Sequence, residues 1–273
     1  MNQNKPHTVF FGTDQFSIAV LEELEKANLL PSLIVTAPDR PVGRKQIITP
    51  PPVKIWAEQK GLDILQPEKL DDVFTESLAQ LKWDLFLVAS YGKIIPQSVL
   101  DIPEKGSLNV HPSLLPLYRG ASPIESAMLN NDKQTGVTII LMDAKMDHGP
   151  ILNQEFVNFE TWTSKLEVEN KLAHIGGELL AVTIPDWLDG NLEEQEQNHD
   201  AATFTKLIKK EDGEIKLDDN AQKNYLKYLA YQPWPGVFYF ENEKRIKITK
   251  ARFEDGKFII ERIIPEGQKE RDF

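Results

Sequence analysis

The sequence predicts an α/β protein in which a Rossmann-like, mostly parallel sheet carries helices and a small all-β unit follows it. Three observations predict this. Short apolar runs from Thr8 to Met142 alternate with stretches of helical periodicity, the pattern of βαβ units and hence of a parallel sheet. After Val237 the pattern changes to short alternating strands separated by Gly and Asn turns, as in a small barrel or sheet. Between the two, Gly190 to Thr203 is polar and contains Glu193-Glu-Gln-Glu-Gln197, which marks a boundary. The expected division is 1–189, a linker over 190–206, and 207–273.

The elements follow in order. Thr8 to Gly12 is a short buried strand, and Asp14 caps a helix from Phe16 to Asn28 in which Phe16, Val20, Leu24 and Ala27 recur at helical spacing. Leu33 to Ala37 is the next strand; the Gly12-Thr-Asp14 turn before it is no GxGxxG, so a dinucleotide site is not indicated. Residues 38–53 hold five prolines and a glycine, so no helix runs through them. Arg40, Arg44 and Lys45 make this stretch either a contact loop for a polyanion or a solvated excursion. Val53 to Lys60 and Leu70 to Leu81 are helical, with a short strand at Asp63 to Leu65 between them. Asp84 to Ser90 is a buried strand opening into the turn Tyr91-Gly-Lys-Ile-Ile-Pro96. Gly136 to Met142 and Glu155 to Phe159 are further strands. In the helix Thr163 to Leu188, residues Leu166, Leu172, Ile175, Leu179 and Val182 are expected to face the core, with Trp162 and Trp187 as fillers. His174 and His199 have no partner identifiable from sequence. Ala221 to Tyr231 is helical, and strands are expected at Val237 to Phe240, Ile246 to Ile248 and Phe258 to Ile264.

Composition bounds the function. Of 273 residues, 41% are hydrophobic and 27% charged, an ordinary globular mixture. Cysteine is absent, which excludes disulfides, thiolate nucleophiles and cysteine-ligated zinc and fits a reducing compartment. There is no signal core and no window of ~18 apolar residues, so a cytoplasmic, monomeric protein without membrane contact is expected. The net charge of −11 is uneven: residues 201–273 hold 15 Lys and Arg against 13 Asp and Glu. A weakly basic tail behind an acidic body can meet phosphates locally, or is plain surface mixing.

The chemistry concentrates at Ser107 to Pro123. In an extended strand Asn109 and His111 project to one face while Leu108 and Val110 face the other. Pro112 holds His111 at a strand end. Alone, the pair reads more readily as a structural turn than as a site. The run Gly136 to Met142 then delivers Asp143, Asp147 and His148. A carboxylate near His111 would hold its ring, and the Asn109 amide could donate to a developing oxyanion. Asn, His and Asp without Ser or Cys suggest attack by the substrate's own nucleophile. Asp147 with His148 lacks the number and geometry of metal ligands, so no metal is expected.

Asn109-Val-His111, Ser113-Leu-Leu-Pro116, Tyr118-Arg-Gly-Ala-Ser-Pro-Ile124, Thr135-Gly-Val-Thr-Ile139 and Met142-Asp-Ala-Lys-Met-Asp147 together resemble the 10-formyltetrahydrofolate-dependent formyltransferases. Pro38-Asp-Arg-Pro-Val-Gly-Arg44, Pro51-Pro-Val-Lys54 and Tyr231-Gln-Pro-Trp-Pro-Gly236 narrow the likeness to the branch acting on methionyl-tRNA. It implies a formyltransferase sheet with a small OB-like C-terminal domain; since the chain stops soon after Pro265-Glu-Gly-Gln-Lys269, that barrel is expected to be either reduced or completed by other means. It implies that Asn109, His111 and Asp147 are catalytic, with protonated His111 and Asn109 stabilising the oxyanion and Asp147 orienting the ring. The walls implied for the folate are Ser90, Tyr91, Gly92, Ile94 and Ile95, then Ser113, Leu114, Leu115 and Pro116, then Met142, Asp143 and Met146. Initiator methionyl-tRNA is the implied partner, with Arg40, Arg44 and Lys45 near its acceptor end and Lys206, Lys209, Lys210, Lys244, Arg245 and Lys247 as phosphate contacts. Lys45-Gln46 stands where relatives have a second glycine. A cis Leu115-Pro116 bond is also implied. Amino-sugar and glycinamide ribonucleotide formyltransferases share the trio but do not explain Pro38 to Lys54 or Tyr231 to Gly236. A non-catalytic tRNA- or folate-binding relative is disfavoured by the intact trio.

Overall fold

The computed structural model describes residues 5–43 and 45–273. Its first part is a seven-stranded sheet made of β1 (Thr8–Phe11), β2 (Leu33–Val35), β5 (Asp63–Leu65), β6 (Leu85–Val88), β7 (Ser107–His111), β8 (Gln134–Leu141) and β9 (Ile151–Asn158). The order is β5-β2-β1-β6-β7-β8-β9. The first five strands are parallel, whereas β8 runs antiparallel to β7, with His111 opposite Thr138 and Leu108 opposite Leu141. A βαβ-only pattern does not foresee this reversal. β9 then returns beside β8 as the second arm of an antiparallel hairpin, which needs no crossover helix.

Period-two alternation divides the core. Phe10, Ile34, Leu85, Leu87, Leu108 and Val110 face one layer, and Val9, Phe11, Val35, Phe86 and Val88 the other. The second layer is closed by α3 (Asp72–Leu78), shorter than its apolar pattern and capped by Asp71, and by α4 (Gln97–Leu100). The first is covered by α1 (Gln15–Lys26), α2 (Pro52–Lys60), α5 (Pro123–Leu129) and α6 (Lys165–Leu188). Asp14 caps α1 by accepting from the Ser17 amide, and Ser164 and Glu167 form a capping box on α6.

The buried stripe of α6 runs through Val168, Leu172, Gly176, Leu179 and Leu180. Leu166 and Val182, expected in the core, are 58% and 57% exposed. The reason is close approach: a Cβ on Gly176 would stand 2.6 Å from Val110, and one on Gly177 2.7 Å from Glu23. The helix therefore lies with its glycines, and not its largest apolar side chains, nearest its neighbours. His174 and Glu23 pair across this interface at 2.6 Å, so His174 has a partner after all.

The proline-rich stretch is regular. β3 (Arg40–Val42) and β4 (Ile47–Thr49) form an exposed antiparallel hairpin. Its base is tied by Lys54 and Gln66, both donating to Asp39; the Gln66 bond first and Lys54 second hold that carboxyl below its ordinary range.

The C-terminal part is an open antiparallel sheet of β10 (Val237–Glu241), β11 (Lys244–Glu254), β12 (Lys257–Pro265) and β13 (Arg271–Asp272), in that order. Val237, Tyr239, Ile246, Ile248 and Ile263 join Leu226 and Leu229 of α7 (Ala221–Ala230) in the same core cluster as the first layer, with α7 also against α5. Among the described residues no helix is long and apolar enough to cross a membrane.

Candidate active site

Strand β7 brings Asn109 and His111 to one face, Asn109 half-buried and His111 only 4% exposed. The loop after β8 leaves beside Ser107, to whose oxygen the Met142 amide donates at 2.8 Å. It carries Asp147 Oδ1 to 3.5 Å from His111 Nδ1. On the other side His111 Nε2 lies 3.1 Å from the Tyr118 carbonyl, which can only accept, so Nε2 is the donor there. Both ring nitrogens thus face oxygens that accept. Asp147 itself sits at φ 51°, a conformation that costs a non-glycine residue on the order of 1 kcal/mol and persists only where neighbours impose it.

Three consecutive residues impose it. The Tyr118 carbonyl meets His111, the Gly120 amide donates to Asp147 Oδ2 at 2.7 Å, and Arg119 between them is 3% exposed. The Arg119 guanidinium donates to Gln197 Oε1 from Nε at 3.1 Å and Nη2 at 2.6 Å, and Nη2 also reaches His199 Nδ1 at 2.8 Å. Arginine has no acceptor, so His199 Nδ1 accepts and its Nε2 carries the hydrogen towards Glu196 at 2.6 Å. Its ring stacks on that of His148 at 4.1 Å, while His148 pairs with Asp143 at 2.6 Å. His199, unpartnered on sequence grounds, therefore belongs to this network. Segment 190–206 runs along the first sheet: Ile151 and Gln195 form a bridge, and the main chain of Arg119 is bonded to Thr203 and Thr205.

The folate segment Ser113 to Pro116 is anchored from behind. Thr138 Oγ1 donates to the Ser113 carbonyl at 2.6 Å and accepts from the Leu115 amide, and Gln154 donates to the Leu115 carbonyl at 2.9 Å. Ser113 is buried and its hydroxyl donates to Leu117 O; Leu115 is buried and its bond to Pro116 is cis. Of the other expected walls, Tyr91 and Ile95 are buried in the second core layer, so their accessible groups are main-chain. Burial pushes the Tyr91 phenol up to about 12, and its hydroxyl has no partner. Ser90 and Gly92 have φ of 49° and 79°, with Ser90 bonded to Asp14. Ile94 and Met146 stand 79% and 59% exposed, with Leu114, Met142 and Asp143 half-buried. A large apolar side chain left in solvent on each of the two loops, after β6 and after β8, suits a flat, partly apolar ligand.

Arg44 lies outside the described residues. Arg40 pairs with Glu68 and Lys45 is exposed, alongside exposed Val42, Ile47 and Ile48 on the hairpin. Lys206, Lys209, Lys210 and Lys244 are exposed, while Arg245 and Lys247 are half-buried. The register sets Phe238 opposite Lys247 and Phe240 opposite Arg245, so these four share the sheet face away from α7. The Arg245 guanidinium lies 3.8 Å over the Phe238 ring, a cation–π contact. Among the described residues, no hydrogen bond or ion pair joins the hairpin or this face to His111 or Asp147. Sequence reasoning missed Arg119, Gln197, Thr138 and Gln154 as site components. Arg119 and Thr138 stand in stretches that carried the family likeness, which was their signal; Gln197 and Gln154 carried none.

Residues 7–184 match the family described as formyl transferase, and residues 207–267 its C-terminal domain. A methionyl-tRNA formyltransferase of Chloroflexus aurantiacus is 43% identical over 244 residues, 89% of this chain and 79% of the relative. One of Halalkalibacterium halodurans is 41% identical over 89% of this chain and 77% of its own. Among solved structures, a methionyl-tRNA formyltransferase from Clostridium thermocellum superposes with a TM-score of 0.63 at 18% identity, covering 95% of this chain and 98% of that one. A sugar N-formyltransferase from a Shewanella species does so with a TM-score of 0.67 at 17% identity, covering 94% and 96%. The structural likenesses speak for the fold alone.

Proposed function

The chain belongs to the formyl transferase family, and from that premise we propose that it moves the formyl group of 10-formyltetrahydrofolate to the amino group of initiator methionyl-tRNA. The observation that carries the choice of acceptor is identity of 41% to 43% with methionyl-tRNA formyltransferases, over 89% of the chain. The sugar-acting structure shares 17%. The donor is supported by large apolar side chains left in solvent on two of the expected walls, Ile94 in the turn after β6 and Met146 in the loop after β8.

In the proposed reaction the acceptor nitrogen attacks the formyl carbon. A new C–N bond forms, the bond from that carbon to the folate nitrogen breaks, and the folate nitrogen takes up the proton that the amine loses. The oxyanion of the tetrahedral intermediate receives hydrogen bonds from the Asn109 amide and from His111 Nε2, which exchanges its 3.1 Å contact with Tyr118 O for the new one. Each such donor is worth on the order of 3 kcal/mol. Asp147 faces Nδ1 at 3.5 Å, where it orients the ring and stabilises positive charge on it. The tRNA is met by Arg40 and Arg44 and by the Arg245–Lys247 face, where the exposed Phe240 ring stands opposite Arg245 beside charges that can meet phosphates.

The test offers the protein 10-formyltetrahydrofolate with either methionyl-tRNA or a nucleotide-linked amino sugar, and follows which amine is formylated. Transfer to methionyl-tRNA is expected. Transfer to the sugar alone, or to neither, refutes the proposal.

A further inference from the structure

Gln197 lies in the segment joining the two sheets, yet it is 4% exposed and its amide is saturated. Oε1 accepts twice from Arg119, and Nε2 donates to the main-chain oxygens of Asp147 at 3.0 Å and Gly149 at 2.7 Å. Only one orientation satisfies these partners. Turning the amide over would set N–H groups against the guanidinium and an oxygen against two carbonyls. The far side of the guanidinium is closed by His199, which Glu196 holds in turn. The chain of fixed groups thus runs from the linker through Gln197 to the carbonyl of the residue whose carboxylate faces His111.

We propose that Gln197 is a positioning residue for formyl transfer. Its two donated bonds hold the Asp147 carboxylate against His111, and Arg119 locks the amide that makes them. The loop needs such a hold, because residues 144–146 are exposed and Asp147 stands at φ 51°. This rests on the reading of the His111 cluster as the transfer site. It also makes the connecting segment a wall of that site and not a passive tether.

The decisive variant is Gln197→Glu. Glutamate still accepts from Arg119, so no buried charge is left alone, but it turns an oxygen towards the two carbonyls in place of N–H. The expected result is a kcat lower by about 10- to 100-fold, a larger change than any in KM for the folate, and an intact cooperative melt. In an Asp147→Asn background the same substitution is expected to change kcat by less than about twofold, since the carboxylate it positions is gone. An undiminished kcat, or an equal loss in both backgrounds, overturns the proposal. Should Gln197→Glu not fold, Arg119→Met with Gln197→Leu removes both partners together and is read in the same way. Hydrogen exchange of the peptide spanning residues 143–150 gives a readout apart from activity: about tenfold faster exchange in the variant is expected, and unchanged exchange overturns the proposal. A wild-type protein that formylates no amine sinks the proposed function, while the exchange result still decides about Gln197.

Discussion

Substitution of Gly149 by alanine places one methyl group where the loop after β8 turns back. A Cβ there would stand 1.9 Å from the carbonyl oxygen of Leu141 and 3.0 Å from its carbon. The obstacle is main chain at the end of a strand paired on both sides, so it cannot swing away as a flexible side chain would. Relief demands that the loop open by at least about 1 Å, and displacements of that size at a reacting group cost roughly 100-fold in rate. The Gly149 oxygen accepts from Gln197 at 2.7 Å, and Asp147 is two residues away, so the opening reaches the 3.5 Å contact with His111. Overpacking also lowers stability, by about 1 to 3 kcal/mol. The assay is single-turnover transfer to methionyl-tRNA, with folate binding and thermal melting measured in parallel. A kcat down by one to two orders of magnitude in a protein that is still folded is expected. A variant as fast as the wild type would show that the tight loop does not set the position of Asp147.

Other substitutions probe other steps. His111→Ala removes one hydrogen bond and should fold, losing about 1 to 2 kcal/mol but 100- to 10,000-fold in rate; near-normal single-turnover kinetics would exclude His111 from the chemistry. Tyr91→Phe deletes a buried hydroxyl without a partner and is expected to stabilise by about 1 kcal/mol. Because burial raises the folded phenol from 10 to about 12, its contribution is fully present below pH 10 and is lost as pH rises through 12. Urea titrations should therefore show wild type losing stability faster than Tyr91→Phe across that window; parallel losses would refute the account. Replacing Arg245 or Lys247 by alanine should lower the salt slope of methionyl-tRNA binding by about one each, leaving folate binding unchanged. A slope that stays put would remove this face from the tRNA path.

Local chemistry explains what could be read in advance. The strands showed because their apolar runs are short and bounded, and Asp14 showed as a cap because a carboxylate just before a periodic run has one common use. Asn109 and His111 shared a face because strands have a period of two. What stayed hidden depends on contacts far apart along the chain. Arg119 meets Gln197 across 78 residues and His174 meets Glu23 across 151, and neither pairing leaves a local mark. The inner face of α6 was displaced because Leu166 and Val182 supply the periodicity while Gly176 and Gly177 supply the fit, and hydrophobic counting ignores glycine. The hairpin at Arg40–Thr49 was obscured by Pro41, which a strand accepts only at an unpaired edge position.

The glycine pair also bears on how the chain reaches its native state. Each glycine lowers the helical preference of α6 by about 1 kcal/mol relative to alanine, and Pro185 adds a further break near its end. A helix weakened in this way gains its order from docking more than from its own sequence. Its seat, though, is made of Val20 and Glu23 on α1 with Val110 and Val137 on the sheet, all of which leave the ribosome earlier. During synthesis, therefore, the apolar face over Val110 and Val137 lacks its helix until the residues up to Leu188 have emerged, and at that nascent stage it is open to aggregation or to a chaperone.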